Sequence, residues 1–416
     1  MMKRLPCALK ILTVIGARPQ FVKAGPVSRA INSFNDALPS TNKRSRLNEI
    51  IVHTGQHYDE NMSDIFFQEL ELPRPAYHLQ VGSGSHGEQT GEMLKRLEGV
   101  MLKEKPDCVL VYGDTNSTLA GALVAAKLHI PVAHVEAGLR SFNRRMPEEV
   151  NRVLTDHISN LLFCPTAVAI RNLRKEGFTD IIRTTGFSRL ARRAMNGRSS
   201  FTGQVVANVG DVMHDALRFN VTLAERRSTI LDRLGLIEGS KRPSPYYLAT
   251  VHRAENTDHL HRLTAIVKAL ATLNKHQPVI WPTHPRTLKI IKRSPGAGSL
   301  CSSLRIIEPV SYLDMLLLER HAKIILTDSG GVQKEAYWLG VPCVTLRDET
   351  EWVETVNSGW NVIAGADTKS IISKADKMCR IRARLPNVNI RDQAAERLVH
   401  LLHDFLRLRN RQRAES

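Results

Sequence analysis

Residues 108–135 read CVLVYGDTNSTLAGALVAAKLHIPVAHV. A β-branched apolar run (108–112) stops at Gly113-Asp114, an amphipathic helical stretch follows (117–128), and a second β-branched run starts at 132. Strand, helix and strand with short turns form the unit of a parallel sheet, because parallel neighbours need a crossover between them. The alternation continues in both directions. Upstream, strands are expected at 10–15 and 49–53 and helices at 21–34 and 88–103; downstream, a helix at 148–159 leads to a strand at 161–164. A second series has expected strands at 246–250, 279–282, 305–307, 323–326 and 342–346, again separated by helical patterns. The expected fold is therefore α/β, with two Rossmann-like domains facing across a cleft. The first is placed at residues 1–185 and the second at 206–390, with the basic, aperiodic stretch 183–205 as an insertion or linker. A last amphipathic helix, about 391–410, carries Ala395, Leu398, Leu402, Phe405 and Leu406 on one face and is expected to pack back on the first domain.

Composition narrows the function classes. A chain of 416 residues has room for two cores, and 42% hydrophobic with 24% charged residues is ordinary for a soluble globular protein. No apolar run of about 18 residues occurs, so no membrane association is expected. The start, Met1 to Cys7, is positively charged but lacks an apolar segment, so no signal peptide is read and a cytoplasmic location is expected. The net charge of +17, from 58 Lys+Arg against 41 Asp+Glu, suits small anions or nucleic acid. Aromatics are only 5% and do not interleave with the basic clusters at 42–46, 183–198 and 407–413, so no nucleic-acid partner is expected. The six cysteines are scattered without a C-x-x-C pair, and no metal site is read from them.

Ligands of open parallel sheets bind beyond the C-terminal ends of the strands, and polar residues collect there. Gly16-Ala17-Arg18-Pro19-Gln20 follows the first strand with Lys23 one turn on, an anion site or equally a turn with two surface cations. Asp114 and Glu136 end the next strands, and Glu148 opens a helix, where capping alone explains an acid. Three such acids converging would raise one another's pKa and permit acid and base work near neutrality. In the second domain, His252 follows the first strand, and Thr283-His284-Pro285-Arg286 follows the second. Thr327-Asp328-Ser329-Gly330-Gly331 then runs from a strand into a helix, offering free N–H groups to a diphosphate, with Glu335 one turn further for ribose hydroxyls. There is no G-x-G-x-x-G after the first strand and no P-loop, so no nicotinamide or other cofactor is expected.

Taken together these segments resemble the non-hydrolysing UDP-N-acetylglucosamine 2-epimerase family. The carriers are GARPQFVKAGPV, HTGQHYD, YGDT, HVEAGLRSFNRRMPEEVNR, VGDVMHDAL, HRAEN and TDSGGVQKEA, spread from Ile11 to Ile363. The resemblance implies a GT-B-like fold and a UDP-sugar substrate; the expected assembly is a homodimer. By position, Asp114, Glu136 and Glu148 match the family's catalytic carboxylates and His252 its active-site histidine. Arg18 and Lys23 match substrate contacts; Ser329, Gly330, Gly331, Glu335 and Arg347 match the UDP set. Val310 and Met315 fall on the uracil side, Met315 where a phenylalanine is common. Gln56, His57 and His284 match the site at which some members bind an activating second UDP-sugar, although residues 82–88 differ from those members. After Arg347 the family often has T-E-R-P-E, whereas this chain reads Asp348-Glu349-Thr350-Glu351-Trp352-Val353-Glu354, similar to relatives acting on UDP-diacetamido-uronic acids as well as on UDP-N-acetylglucosamine.

The implied chemistry is inversion at C2 of a UDP-N-acetylhexosamine. That carbon's proton is not acidic, and with no nicotinamide motif the sensible route is anti elimination of UDP to a 2-acetamidoglucal and re-addition. The rival readings are a 2-epimerase of a UDP-2,3-diacetamido-uronic acid, a hydrolysing epimerase of the same fold, a GT-B glycosyltransferase and a non-catalytic UDP-sugar sensor.

Overall fold

Both sheets among the described residues are parallel throughout, and each grows to both sides of its first strand, which leaves a switch point where open sheets of this kind bind ligands. The computed structural model describes residues 8–39, 45–56, 71–182, 204–237, 243–283, 285–293, 297–380 and 393–415. By internal contacts the chain divides into two units, residues 1–216 with 390–416, and residues 217–389.

The first unit is built on β1 (Leu9–Ile15), β2 (Leu47–His53), β3 (Tyr77–His78), β4 (Cys108–Tyr112), β5 (Val132–Val135), β6 (Leu161–Cys164), β7 (Ile181–Ile182) and β8 (Val205–Asn208), in the order β3-β2-β1-β4-β5-β6-β8-β7. Its helices are α1 (Arg18–Asp36), α2 (His86–Glu104), α3 (Asn116–Lys127), α4 (Pro147–Ile158) and α5 (Ala167–Lys175). β4 and β5 are buried at every residue, as expected of strands covered on both faces. Leu12, Val14, Val109 and Val111 pack with Met93, Leu97 and Val100 of α2 and Ala120 and Ala125 of α3. Burying each such large aliphatic side chain contributes about 1.5–3 kcal/mol. The C-terminal helix Ala394–Glu415 packs on α1, where Phe34 lies 4.7 Å from the ring of His403.

Two features differ from the sequence reading. Val205–Asn208, read there as the end of the insertion and the start of the second domain, pairs with β6 and β7 as β8 of the first sheet, so the first unit runs on to residue 216. A four-residue apolar run carries no mark of which sheet it will join; only pairing decides it. The two-residue strands β3 and β7 were not expected, being too short to show a period of two. The linker or insertion at 183–205 lies outside the described residues up to 203.

The second unit holds β9 (Tyr247–Thr250), β10 (Val279–Pro282), β11 (Arg305–Ile307), β12 (Ile324–Thr327), β13 (Cys343–Thr345) and β14 (Asn361–Ile363), in the order β11-β10-β9-β12-β13-β14. Trp281, Leu263, Ile266, Leu270, Leu326, Val344 and Ile371 form its core. Among the described residues no helix is long and apolar enough to cross a membrane.

The strand orders locate the site. From β1 the first sheet grows through β2 to β3 and then resumes on the other side with β4, so the C-terminal ends of β1 and β4 flank a switch point. The second sheet does the same between β9 and β12. At such points the two following loops part and leave a crevice for a ligand.

Candidate active site

At the first switch point the turn after β1 must come very close to its neighbours. A Cβ on Gly16 would collide with the hydroxyl oxygens of Thr54 and Ser117, which lie 2.8 Å from each other, so only glycine fits. Gln20, buried on α1, fastens this turn to β4. Its Oε1 accepts from the N–H groups of Gly16 (2.8 Å) and Ala17 (3.1 Å), and its Nε2 donates to the carbonyl of Tyr112 (2.9 Å). Gln56 Oε1 accepts from the hydroxyl (2.7 Å) and N–H (3.2 Å) of Ser117. Arg18 begins α1; its side chain, and His57 and His284, lie outside the described residues.

Around this turn three of the expected polar residues meet. Lys23, one turn into α1, forms a direct ion pair with Glu136 at the end of β5. Gly113, at φ 64°, runs alongside the pair, its Cβ position 3.0 Å from Lys23 Nζ and 3.3 Å from Glu136 Oε2. Glu136 itself has φ 74°, in the left-handed region that a glutamate adopts only under constraint, at a cost of roughly 1–3 kcal/mol. Asp114, half-buried before α3, is ion-paired to Arg152 of α4. Arg152 is held in turn by Glu149 (3.0 Å), whose carboxylate also accepts the N–H groups of Ser141 (3.0 Å) and Phe142 (2.9 Å). Thr115 caps α3, and Asn151 donates to the Asp114 carbonyl at 2.9 Å, fixing the backbone on either side of the acid.

The electrostatics follow from this crowding. Burial pushes the Asp114 carboxyl above its ordinary value; Arg152 and Lys23 oppose the shift, and Glu136 and Glu148 add to it. Burial works against the charge of Lys23, but Glu136, Asp114 and Asp211 outweigh it and raise the ammonium. Glu148, in the first turn of α4, is therefore close enough to be felt at Asp114.

Behind the acids runs a buried chain of charge. His134 Nε2 lies 2.7 Å from the carbonyl of Gly113 and its Nδ1 2.7 Å from Asp156, and Asp156 pairs with Arg140 at 2.7 Å. Arg140 then grips Glu176 with two bonds of 2.7 Å.

The second unit places its candidates at its own switch point. The buried carboxylate of Asp328 accepts the N–H groups of His252 (3.1 Å) and Arg253 (3.0 Å) and the amide of Asn256 (3.1 Å). One residue thus shapes the turn after β9 while leading into Ser329, and the exposed His252 ring stands 3.6 Å from it. Ser329 precedes the helix Gly330–Leu339. Arg347, buried after β13, pairs with Glu351 (3.0 Å) and Glu255 (3.3 Å); burial opposes its charge, but the two carboxylates raise it. Glu335, also buried, accepts the hydroxyl of Tyr312 at 2.8 Å. Val310 and Met315 are half-buried, before and on the helix Tyr312–His321.

A family model for UDP-N-acetylglucosamine 2-epimerase matches residues 40–403. The chain belongs to that family. A protein of Methanococcus maripaludis named UDP-N-acetylglucosamine 2-epimerase homolog is 51% identical over 372 residues, 89% of this chain and 92% of its own. The UDP-2,3-diacetamido-2,3-dideoxy-D-glucuronate 2-epimerase of Pseudomonas aeruginosa is 50% identical over 368 residues, 88% of this chain and 91% of its own. The crystal structure of Methanocaldococcus jannaschii UDP-GlcNAc 2-epimerase in complex with UDP-GlcNAc and UDP is similar with a TM-score of 0.77 at 43% identity, covering 95% of this chain and 99% of that one.

Within this epimerase-family chain, the residues that hold the candidate acids were not singled out from the sequence. Arg152 had a usable signal, since it follows Glu148 by four residues and Glu149 by three, on one helix face. Gln20 and Asp328 lay within the strand-end segments but were given no role, and His134 and Asp156 had no signal, because a polar residue beside apolar neighbours looks the same whether it serves the core or a site.

Proposed function

We propose that this chain inverts carbon 2 of a UDP-N-acetylhexosamine, interconverting UDP-N-acetylglucosamine and UDP-N-acetylmannosamine without hydrolysing the sugar–nucleotide bond. The observation that supports it most directly is the pairing of Lys23 with Glu136 and of Arg152 with Asp114 at the β1/β4 switch point. Two acids, each held by one cation, suit the exchange of protons at a single carbon.

In this reading a carboxylate takes the C2 proton, the C–H electrons become the C1=C2 bond, and UDP leaves with the C1–O electrons. Reversal adds UDP back to C1 while a second acid delivers a proton to the opposite face of C2. Asp114, whose carboxyl holds its proton more tightly than an exposed aspartate, suits the donor role; Glu136 and Glu148 complete the acid set. Ser329, Gly330, Gly331 and Arg347 bind the diphosphate, Glu335 the ribose, and Val310 and Met315 the uracil side; Arg18 and Lys23 contact the substrate, and His252 is the active-site histidine. The chain works without a cofactor, in the cytoplasm, as a homodimer.

A second reading concerns the sugar. The 50% identity to the Pseudomonas aeruginosa enzyme, with the variant segment 348–354, favours a UDP-2,3-diacetamido-uronic acid as substrate by the same chemistry.

The test is turnover of each UDP-sugar in heavy water, followed by NMR. Deuterium at C2 of the epimeric UDP-sugar, with no free hexosamine, is the expected result. A product keeping its C2 hydrogen, or release of free sugar, overturns the elimination reading. The substrate with the higher kcat/KM settles the sugar.

A further inference from the structure

Trp352 is built into the second unit from both sides. Its N–H donates to the Thr350 hydroxyl (3.2 Å), which donates to Gln333 (2.6 Å), and its carbonyl accepts from both the N–H (3.0 Å) and hydroxyl (2.7 Å) of Thr355. The backbone is therefore fixed, and the indole is 7% exposed. The ammonium of the buried Lys334 stands 3.9 Å from the centre of the indole ring. A cation on the π-face draws electron density from the ring and strengthens the indole N–H as a donor.

That donor has no hydrogen-bond partner among the described residues, although it is buried. Native proteins seldom leave such a group unsatisfied. Its nitrogen is aimed at the start of the ten-residue helix Gly330–Leu339, 3.1 Å from where a Cβ of Gly330 would stand. The Glu351 carboxylate, paired with Arg347, reaches over the same glycine, so this helix N-terminus already attracts a negatively charged oxygen. Glycine at 330 keeps the niche open; any side chain would fill it.

We propose that the indole N–H of Trp352 is the side-chain donor to a phosphate oxygen of the bound nucleotide, in the niche over Gly330. This rests on the UDP-sugar reading above and adds a binding residue to it. It also assigns a function to the departure from T-E-R-P-E. Where other sequences place a flexible cation, this chain places a rigid, neutral donor polarised by Lys334.

The experiment uses the full chain labelled with ¹⁵N-tryptophan, which gives four indole signals, one for each tryptophan. UDP should move one indole proton downfield, and uridine, which lacks phosphate, should leave it in place. That signal should be the one missing from Trp352→Phe, a variant that keeps a ring over Lys334. By calorimetry the variant should bind UDP roughly ten- to hundredfold more weakly, the usual loss for one hydrogen bond to a charged acceptor. Should Trp352→Phe fail to fold, the wild-type spectrum still decides, because no downfield shift with UDP overturns the proposal. Equal UDP affinity of variant and wild type, or a uridine shift matching that of UDP, overturns it too. Failure of the wild-type chain to bind UDP at all removes the functional reading instead, and is told apart by the absence of any heat or spectral change.

Discussion

The Nε2 of His134 lies 2.7 Å from the carbonyl oxygen of Gly113, joining β5 to the end of β4 immediately before Asp114. A carbonyl only accepts, so Nε2 carries the proton of this bond. His134 also stands two residues before Glu136, so one ring ties the strand ends that present both candidate acids. Its Nδ1 lies 2.7 Å from Asp156, which Arg140 and the N–H of Gly138 (3.0 Å) hold in place.

Replacing His134 by Ala should therefore do more than open a cavity. It strands the Gly113 carbonyl and one oxygen of Asp156, at a cost of about 2–4 kcal/mol in stability. Conserving a donor with His134→Gln should recover part of that loss. Turnover should fall at least tenfold in both variants while calorimetric UDP affinity stays near the wild-type value, since the nucleotide candidates belong to the other unit. An unchanged kcat in a folded His134→Ala protein would show that the tie does not position the acids.

Asp114→Asn should trade activity for stability. The folded-state pKa of Asp114 is raised, so the stability it contributes is present below its ordinary value of 3.8 and is lost as pH rises through the folded value. At pH 7.5 the wild type bears that loss and the amide does not. The variant should melt at or above the wild-type temperature while turnover drops by about two to four decades. A clear fall in melting temperature at pH 7.5 would contradict the argument.

Acid should unfold the protein partly through Asp156 and Glu149. Burial pushes both carboxyls up, but for Asp156 the bonds to His134 and Arg140 win, and for Glu149 the N–H groups of Ser141 and Phe142 with Arg152 win, so both end below their ordinary values. Such groups contribute stability above about pH 4 that is lost as pH falls through the folded values. Urea midpoints measured from pH 7 to pH 3 should drop, and Asp156→Asn should flatten the drop while lowering the plateau. A variant with the wild-type slope would exclude Asp156 as a source of acid sensitivity.

Glu351→Gln should tighten UDP binding roughly two- to fivefold, the scale of one charge at a helix terminus. The carboxylate over Gly330 competes with a phosphate for the same N-terminus and occupies Arg347 at 3.0 Å. The gain should shrink in high salt. Weaker binding by the amide would mean that Glu351 orients Arg347 rather than competing with the ligand.

Much of this protein was legible in one dimension. The unbroken β-branched apolar runs at 108–112 and 132–135, the helical period between them and the turn at Gly113 need only local sterics and burial, so the parallel α/β class follows from the chain itself. The same local logic put Asp114, Glu136 and Ser329 at strand ends or helix starts, where sheets of this class bind ligands. What could not be read was which of these residues meet. Lys23 and Glu136 are 113 positions apart, and Asp114 and Arg152 are 38 apart. Their pairing depends on the order β1-β4-β5, and no strand carries a local mark of its neighbour. Nor does the sequence announce the positive φ of Glu136 or the unsatisfied indole of Trp352. A backbone held against its own preference and a donor buried without a partner arise only when distant segments are packed around them, so the tertiary structure decides both.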